Sequence, residues 1–281
     1  RKDRQAILKV HFAKKPVADN VDLDALAAKS AGSSGADLAN IANEAAIIAA
    51  RHNRKEISND DLTSAFEKVA IGPERKSKIM SDKEKELTAF HEAGHALVGH
   101  VLPDSDPIHK VTIIPRGGTG GVTWAIPPED KSYHSIVEFK DVLARMLGGR
   151  IAEELIYGHD WVTTGAGSDL PKAAELARDM VINQGMGSGK LRNQVFHVEE
   201  GMMLERMVHE RQYSDDTAKL IDDEVESLIR EAAERARAVI KANLEKLKLL
   251  KDKLLEKETL EAEEVKHLLE GTHMPKAAAL Y

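Results

Sequence analysis

A pair of histidines four residues apart most constrains what this chain can fold into. His91 and His95 belong to the run His91-Glu92-Ala93-Gly94-His95, which lies in a segment with helical spacing of apolar residues. Four residues make about one helical turn, so both imidazoles project from one face and can bind one Zn²⁺. Glu92 lies between them, where it can take a proton from a water that the metal activates. The run predicts a zinc-dependent hydrolase of peptide bonds; the alternative is a helix whose histidines make ordinary hydrogen bonds.

The third protein ligand of such a zinc ion has several candidates. His100 is excluded, because it lies about 140° around the helix from His95. A carboxylate from a later helix, Glu153 or Glu154, would suit the gluzincin type of metallopeptidase. Asp169 is the competitor, although an aspartate just before a proline also suits the first turn of a helix without any metal. The residues alone leave this ligand open.

Helical patterns dominate the chain, and helix-breaking residues near position 72 divide it into two parts. Residues 1–72 are predicted to form a small helical unit, because capping boxes at Ser34 and Ser58 each begin a helix. Residues 73–80 begin with Gly-Pro and continue with charged residues, which indicates a linker. Residues 81–275 are predicted to form the domain with the histidine pair, and 276–281 a frayed end.

A short part of the second domain has a β-strand pattern. The segments from Lys110 to Ile114 and from Val122 to Ile126 are rich in β-branched residues, and a glycine-rich turn separates them. We expect them to form a small hairpin or sheet beside the active site. Thr259 is predicted to cap a separate last helix. The expected fold class is therefore mainly α with a small sheet.

The composition excludes some kinds of partner and of metal site. The formal net charge is -7 and no long stripe of Lys and Arg occurs, which argues against a nucleic-acid partner. Cysteine is absent, so thiolates cannot bind the zinc. Because there is no signal peptide and no apolar run long enough to cross a bilayer, we expect a soluble globular piece.

A series of short motifs, in a specific order and spacing, extends over nearly the whole chain. They are Ile7-Leu8-Lys9-Val10-His11, Ser34-Gly35-Ala36-Asp37-Leu38, Asn43-Glu44-Ala45-Ala46, Phe90 to Ala96, Val111 to Gly117, Gly149 to Glu154, Thr163 to Leu170, and Tyr213-Ser214 with Thr217 and Ile221-Asp222. In these motifs the chain resembles the FtsH family of membrane-anchored AAA+ zinc proteases.

The resemblance implies the roles of the zinc-site residues. One zinc ion per subunit would be bound by His91, His95 and Asp169, with Glu92 as the general base. Glu153 or Glu154 would then orient a histidine ligand through its other ring nitrogen.

The resemblance also implies that the second predicted strand is a sheet edge beside the zinc. A substrate chain would pair with this edge by β-augmentation. Without the family, an ordinary hairpin is the simpler interpretation of the segment. The implied substrate-binding residues are Gly120, Gly121, Val122, Thr123 and Trp124.

Residues 1–72 resemble the helical lid of an AAA+ ATPase module. In such lids the matching positions line the adenine pocket, and here they are Ile7, His11, Gly35 and Ala36. The residues by themselves indicate only a core isoleucine, a surface histidine and a helix cap. The sequence has no Walker A loop, Walker B acidic pair or arginine finger. We therefore expect a fragment without the ATPase core and the membrane anchor, so that ATP and Mg²⁺ bind only in the full-length parent.

The resemblance implies an assembly and a location for the parent protein. It would be a homo-hexamer that degrades unfolded or membrane-protein substrates. It would be anchored in the bacterial inner membrane or an organelle membrane, with this part on the cytoplasmic or matrix side. A different class of function is a non-catalytic, ring-forming module with a degenerate metal site. The amphipathic region from Ser214 to Gly271 is compatible with packing between subunits, and also with an ordinary core.

Overall fold

The computed structural model describes residues 1–75, 80–128, 130–196 and 213–280. Most of these residues are helical, and three short strands form one sheet, which confirms the predicted fold class. The α-helices are α1 (Lys2–Phe12), α2 (Leu23–Lys29), α3 (Gly35–Arg51), α4 (Asn59–Ile71), α5 (Asp82–Val101), α6 (Ile136–Tyr157), α7 (Asp169–Ile182), α8 (Asp215–Ala242), α9 (Leu244–Lys257) and α10 (Ala262–Leu268). The strands are β1 (Ile108–Thr112), β2 (Val122–Ala125) and β3 (Thr259–Glu261). None of the described helices is both long and apolar enough to span a bilayer.

Local capping explains where the helices around the histidine pair begin. The Ser81 hydroxyl accepts a hydrogen bond from the Glu84 amide, and the Glu84 carboxylate accepts one from the Ser81 amide, so α5 starts with a complete capping box. Ser135 and Glu138 make the same arrangement at the start of α6. Such caps contribute about 1 kcal/mol each, and they fix the helix register relative to the chain before it.

The buried apolar side chains form two separate clusters. One is built from α1 to α4, and the other from α5 to α10 with the sheet. The fully buried members include Leu8, Leu38 and Ile41 in the first cluster and Leu97, Leu143, Met180, Ile240 and Leu247 in the second. The change of core falls near residue 72, where we predict a domain boundary. The predicted linker 73–80 contains residues 76–79, which lie outside the described residues.

A glycine pair brings α5 and α6 into backbone contact. A Cβ added to Gly94 would lie 2.4 Å from the carbonyl oxygen of Gly148, and one added to Gly148 would lie 2.7 Å from the carbonyl oxygen of Gly94. These helices can therefore approach this closely only because neither position carries a side chain. The contact places the face of α5 with His91 and His95 directly against α6.

The sheet is antiparallel, with strand order β2-β1-β3. The third strand was not predicted, and Thr259 does not cap a helix. It pairs with Thr112 of β1, and their hydroxyl oxygens lie 2.8 Å apart. The helix that follows begins instead with a capping box of Glu261 and Glu264.

Residues 276–281 are predicted to be a frayed end, and within them Ala278 is docked on α8 while Lys276, Ala277 and Ala279 are exposed. Ala278 is fully buried, and its carbonyl accepts a hydrogen bond of 2.9 Å from Nε of Arg235 on α8. The buried arginine supplies a fixed donor, which explains why this segment docks. Tyr281 lies outside the described residues.

Helix α4 of the first unit packs directly on the sheet. The ring centroids of Phe66 on α4 and Trp124 on β2 are 4.9 Å apart. Beside them, the buried carboxylate of Glu67 forms ion pairs with Lys110 and with Arg116, the latter at 3.2 Å. Removing Glu67 would leave two buried cations without this partner, so the three charges hold α4 against the sheet.

Candidate metal centre

Three side chains from two helices, α5 and α7, converge at the contact of α5 with α6. Nε2 of His91 and Nε2 of His95 are 3.0 Å apart. Oδ2 of Asp169, the first residue of α7, lies 3.3 Å from the His91 nitrogen and 3.5 Å from the His95 nitrogen. This is the set of residues, among those described, that could hold a metal ion.

The other ring nitrogen of each histidine has a partner that fixes its tautomer. Nδ1 of His95 lies 2.8 Å from the carbonyl oxygen of Arg145, which can only accept, so this nitrogen carries the proton. The Gly149 amide also lies 3.3 Å from it, which is a longer and weaker contact. Nδ1 of His91 lies 2.7 Å from Oε1 of Glu153. With Nδ1 bonded in this way, the Nε2 atom of each ring is directed toward Asp169, as in metal sites where a hydrogen bond to the other ring nitrogen orients the ligand.

The electrostatics of the centre favour a positive charge. Burial lowers the pKa of His91, but its hydrogen bonds with Asp169 and Glu153 outweigh burial and raise that pKa to about 10. Burial raises the pKa of Asp169, but its hydrogen bonds with the two histidines outweigh this and lower it overall, so the carboxylate stays ionised. Three lone pairs that point at one another need a cation between them, and a divalent metal supplies that charge without a proton.

The space at the centre fits a zinc ion. A Cβ added to Gly149 would lie 2.5 Å from Nε2 of His95 and 2.6 Å from Nε2 of His91, so this space is open because residue 149 is glycine. Zinc takes histidine nitrogens at about 2.0–2.1 Å and carboxylate oxygens at about 2.0–2.2 Å in a tetrahedral arrangement, which separates its ligand atoms by about 3.3 Å. The separations of 3.0–3.5 Å in the structure fall around this value.

We expect Gly149→Ala to lower the zinc content sharply, because its methyl group would occupy the space in front of both histidine nitrogens. Zinc per chain, measured by elemental analysis after desalting, tests this. Gly167→Ala is the matched control, since a Cβ at Gly167 meets nothing within 4 Å. Full zinc binding by the Gly149 variant would mean that the metal does not lie between the two rings.

Glu92 lies in one cleft with His91, His95 and Asp169, on the side of the cleft that the sheet forms. It is buried, and Oε2 accepts a hydrogen bond of 2.6 Å from the hydroxyl of Thr123 on β2. The cleft has a volume of about 390 Å³, and its lining includes Glu92, both histidines and Asp169. A carboxylate, two imidazoles and a second carboxylate thus share one cleft.

The two glutamates predicted to orient a histidine have different surroundings. Glu153 is fully buried, and its Oε2 accepts hydrogen bonds of 2.9 Å from the amide and the hydroxyl of Thr163. Glu154 does not lie at the centre: its carboxylate pairs with Arg237 of α8 at 3.1 Å. Successive helical residues point about 100° apart, so only one of the two can face α5.

The predicted substrate strand lies partly in the cleft. Gly120, Gly121, Val122 and Thr123 are among the lining residues. Trp124 is on the opposite face of the strand, where its ring packs on Phe66 and lies 5.2 Å from the ring of His109. Alternate strand residues face opposite sides, so a substrate-binding role for the Trp124 side chain in this cleft is not supported.

The four residues predicted for an adenine pocket lie on α1 and α3, which pack together. Ile7 and His11 are half-buried, and Gly35 and Ala36 are exposed in the first turn of α3. Their part in nucleotide binding remains a prediction.

Comparison with known proteins points to a single family. The model of peptidase family M41 matches residues 78–268, and the model of the AAA+ lid domain matches residues 20–64. A protein named ATP-dependent zinc metalloprotease FtsH from Synechococcus sp. is 45% identical over 96% of this chain and 43% of its own length. Its namesake in Bacillus subtilis is 43% identical over 97% of this chain and 43% of its own length. FtsH 3 of Synechocystis sp. is 46% identical over 95% of this chain and 44% of its own length.

The chain therefore spans less than half the length of these relatives. The peptidase match covers more than half of the chain and contains both histidines, Glu92 and Asp169. With a zinc-type donor set and a buried glutamate in one cleft of the matched region, the chain belongs to peptidase family M41.

Proposed function

We propose that this chain hydrolyses peptide bonds of unfolded proteins as the peptidase part of an ATP-dependent zinc metalloprotease. The convergence of His91, His95 and Asp169 in the cleft that also contains Glu92 carries the proposal. The relatives with 43–46% identity are named as ATP-dependent zinc metalloproteases, which agrees with this chemistry.

His91, His95 and Asp169 would hold one zinc ion per chain. Bound zinc supplies Lewis acidity toward a water molecule and toward the carbonyl of the scissile bond. Glu153 and the Arg145 carbonyl orient the two imidazoles through hydrogen bonds of 2.7 Å and 2.8 Å to their Nδ1 atoms, so that both Nε2 atoms face the position of the metal.

Glu92 acts as the general base. Its carboxylate takes a proton from the attacking water and later gives it to the leaving amine, which completes the hydrolysis. Burial of Glu92 in the wall of the cleft keeps bulk water away from this proton. The cleft thus contains both the base and the residues that would bind the metal.

The edge strand β2 would bind the substrate backbone. Among the described strands, β2 pairs only with β1, so its other edge has no strand partner. An extended peptide added there would be recognised mainly by main-chain hydrogen bonds, which tolerate many sequences. Gly120 to Thr123 would line its path beside the metal centre.

The same proposal includes the activity and the assembly of the longer parent protein. It would unfold proteins with ATP and Mg²⁺, form a homo-hexamer, and be anchored in a membrane with this part on the cytoplasmic or matrix side. The match of residues 20–64 to an AAA+ lid supports an attached ATPase. Nothing in the cleft or in the family match favours the alternative of a non-catalytic assembly module.

Metal removal tests the proposed function. We expect dialysis against 1,10-phenanthroline to abolish cleavage of a fluorogenic peptide by this chain, and added Zn²⁺ to restore it. Zinc content measured on the same samples should fall and recover with the activity. Peptide cleavage that persists at negligible zinc content would refute a zinc peptidase.

A further inference from the structure

We propose that Thr123 is a positioning residue for Glu92: its hydroxyl holds Oε2 of the carboxylate, so that Oε1 takes the proton of the attacking water. The proposal rests on the function proposed above, because it assigns the support of the general base in that reaction. It gives the second predicted strand a role beyond contact with the substrate backbone.

The hydroxyl of Thr123 has two acceptors, and one of them is charged. Its oxygen lies 2.6 Å from Oε2 of Glu92 and 3.0 Å from the backbone carbonyl oxygen of the same residue. A hydroxyl has a single proton, and the shorter bond to an ionised carboxylate is the stronger one. Oε2 is therefore the oxygen that carries this bond.

The other oxygen of the Glu92 carboxylate, Oε1, lies next to Gly121. A Cβ added to Gly121 would lie 2.8 Å from Oε1 of Glu92 and 2.9 Å from its Cγ, and also 2.7 Å from the Thr112 carbonyl oxygen. Residues 121 and 123 face the same side of an extended chain, so they form one surface on which the Glu92 side chain lies. Gly121 leaves room for Oε1, and Thr123 binds Oε2.

The two carboxylate oxygens consequently differ. Among the described residues, the Thr123 hydroxyl is the one group that donates a hydrogen bond to the Glu92 side chain. Because the Thr123 hydroxyl occupies Oε2, Oε1 is the oxygen left to accept a proton from water. Holding the carboxylate in one side-chain orientation also excludes orientations in which it could not reach the attacking water.

The strand that carries Thr123 is itself held on its other face. Trp124 packs on Phe66 of α4, and Thr123 pairs with Val111 of β1 in the sheet. The position of the hydroxyl therefore follows from the sheet and from α4, and does not depend on a bound substrate.

The test compares Thr123→Val with Thr123→Ser in peptide hydrolysis. Valine keeps the shape and removes the hydroxyl, so we expect kcat to fall about tenfold with KM and zinc content unchanged. Serine keeps the hydroxyl and should restore most of kcat. Thr272→Val is the matched control, since it removes a single hydroxyl bond to the Leu269 carbonyl far along the chain and should leave kcat unaltered.

A fall in kcat that serine rescues, at constant KM, supports the positioning role. A Thr123→Val variant with unchanged kcat overturns it, as does one in which only KM rises, because the hydroxyl would then bind substrate. If valine impairs folding, Thr123→Ala replaces it and must show the same loss of kcat. Glu92→Gln is assayed in parallel: activity in that variant refutes the proposed function itself, whereas an inactive Glu92→Gln with a fully active Thr123→Val refutes only the role of Thr123.

Discussion

Glu92→Gln is expected to abolish peptide hydrolysis while the protein keeps one zinc ion per chain. Glutamine has nearly the same shape, and its amide oxygen can still accept the Thr123 hydrogen bond that now reaches Oε2. An amide cannot take the proton of the attacking water, and loss of a general base costs about 10²–10⁴-fold in rate. Casein hydrolysis and zinc content on the same preparation measure the two halves of this expectation.

Glu154→Gln is the matched control for this experiment. It makes the same chemical change on the neighbouring helix α6, but the Glu154 carboxylate pairs with Arg237 away from the cleft. We expect its activity to equal that of the unchanged chain. Substantial hydrolysis by the Glu92 variant, with the Glu154 variant also active, would remove Glu92 from the reaction and leave another group as the base.

Local signals in the sequence account for most of the helices. The capping boxes at Ser34, Ser58 and Ser81 involve residues three apart, and all three are complete in the structure. The histidine pair depends on a four-residue spacing within α5, so its common face was also predictable. Such features need no knowledge of what packs against the helix.

Long-range contacts explain what the sequence did not reveal. The choice among Glu153, Glu154 and Asp169 depends on how α6 and α7 pack on α5, which spacing along the chain does not determine. The docking of Thr259 on Thr112 and of Ala278 on α8 has the same origin. In each case the partner lies more than forty residues away in sequence.

Gly149 was part of a recognised motif, but its function in the site was missed. A Gly-Gly pair in the middle of a helix weakens that helix. Its presence therefore indicates that another part of the molecule must approach the helix backbone closely there. Gly148 serves the contact with Gly94, and Gly149 serves the space between the histidines. The signal was present, but only the positions of α5 and α6 show which atoms need the room.

Asp169→Asn is expected to lose zinc, whereas Glu153→Gln should retain most of it. The first change replaces the anionic oxygen that lies 3.3 Å and 3.5 Å from the two histidine nitrogens with a neutral amide. Loss of one of three protein ligands and of its charge therefore weakens binding severely. Glutamine at 153 can still accept from Nδ1 of His91, but its amide group would face the Thr163 donors, so we expect an affinity about 10–100-fold lower.

Zinc stoichiometry after desalting, together with competition against a chromophoric chelator, separates these two outcomes. Asp160→Asn is the control for the aspartate change, because Asp160 is exposed and lies nine residues before Asp169. A zinc-free Glu153 variant beside a zinc-loaded Asp169 variant would make the glutamate the ligand, and Asp169 would then be an ordinary residue of the first turn of α7. The structure favours the opposite result, because Glu153 meets the back of the His91 ring while Asp169 faces both Nε2 atoms.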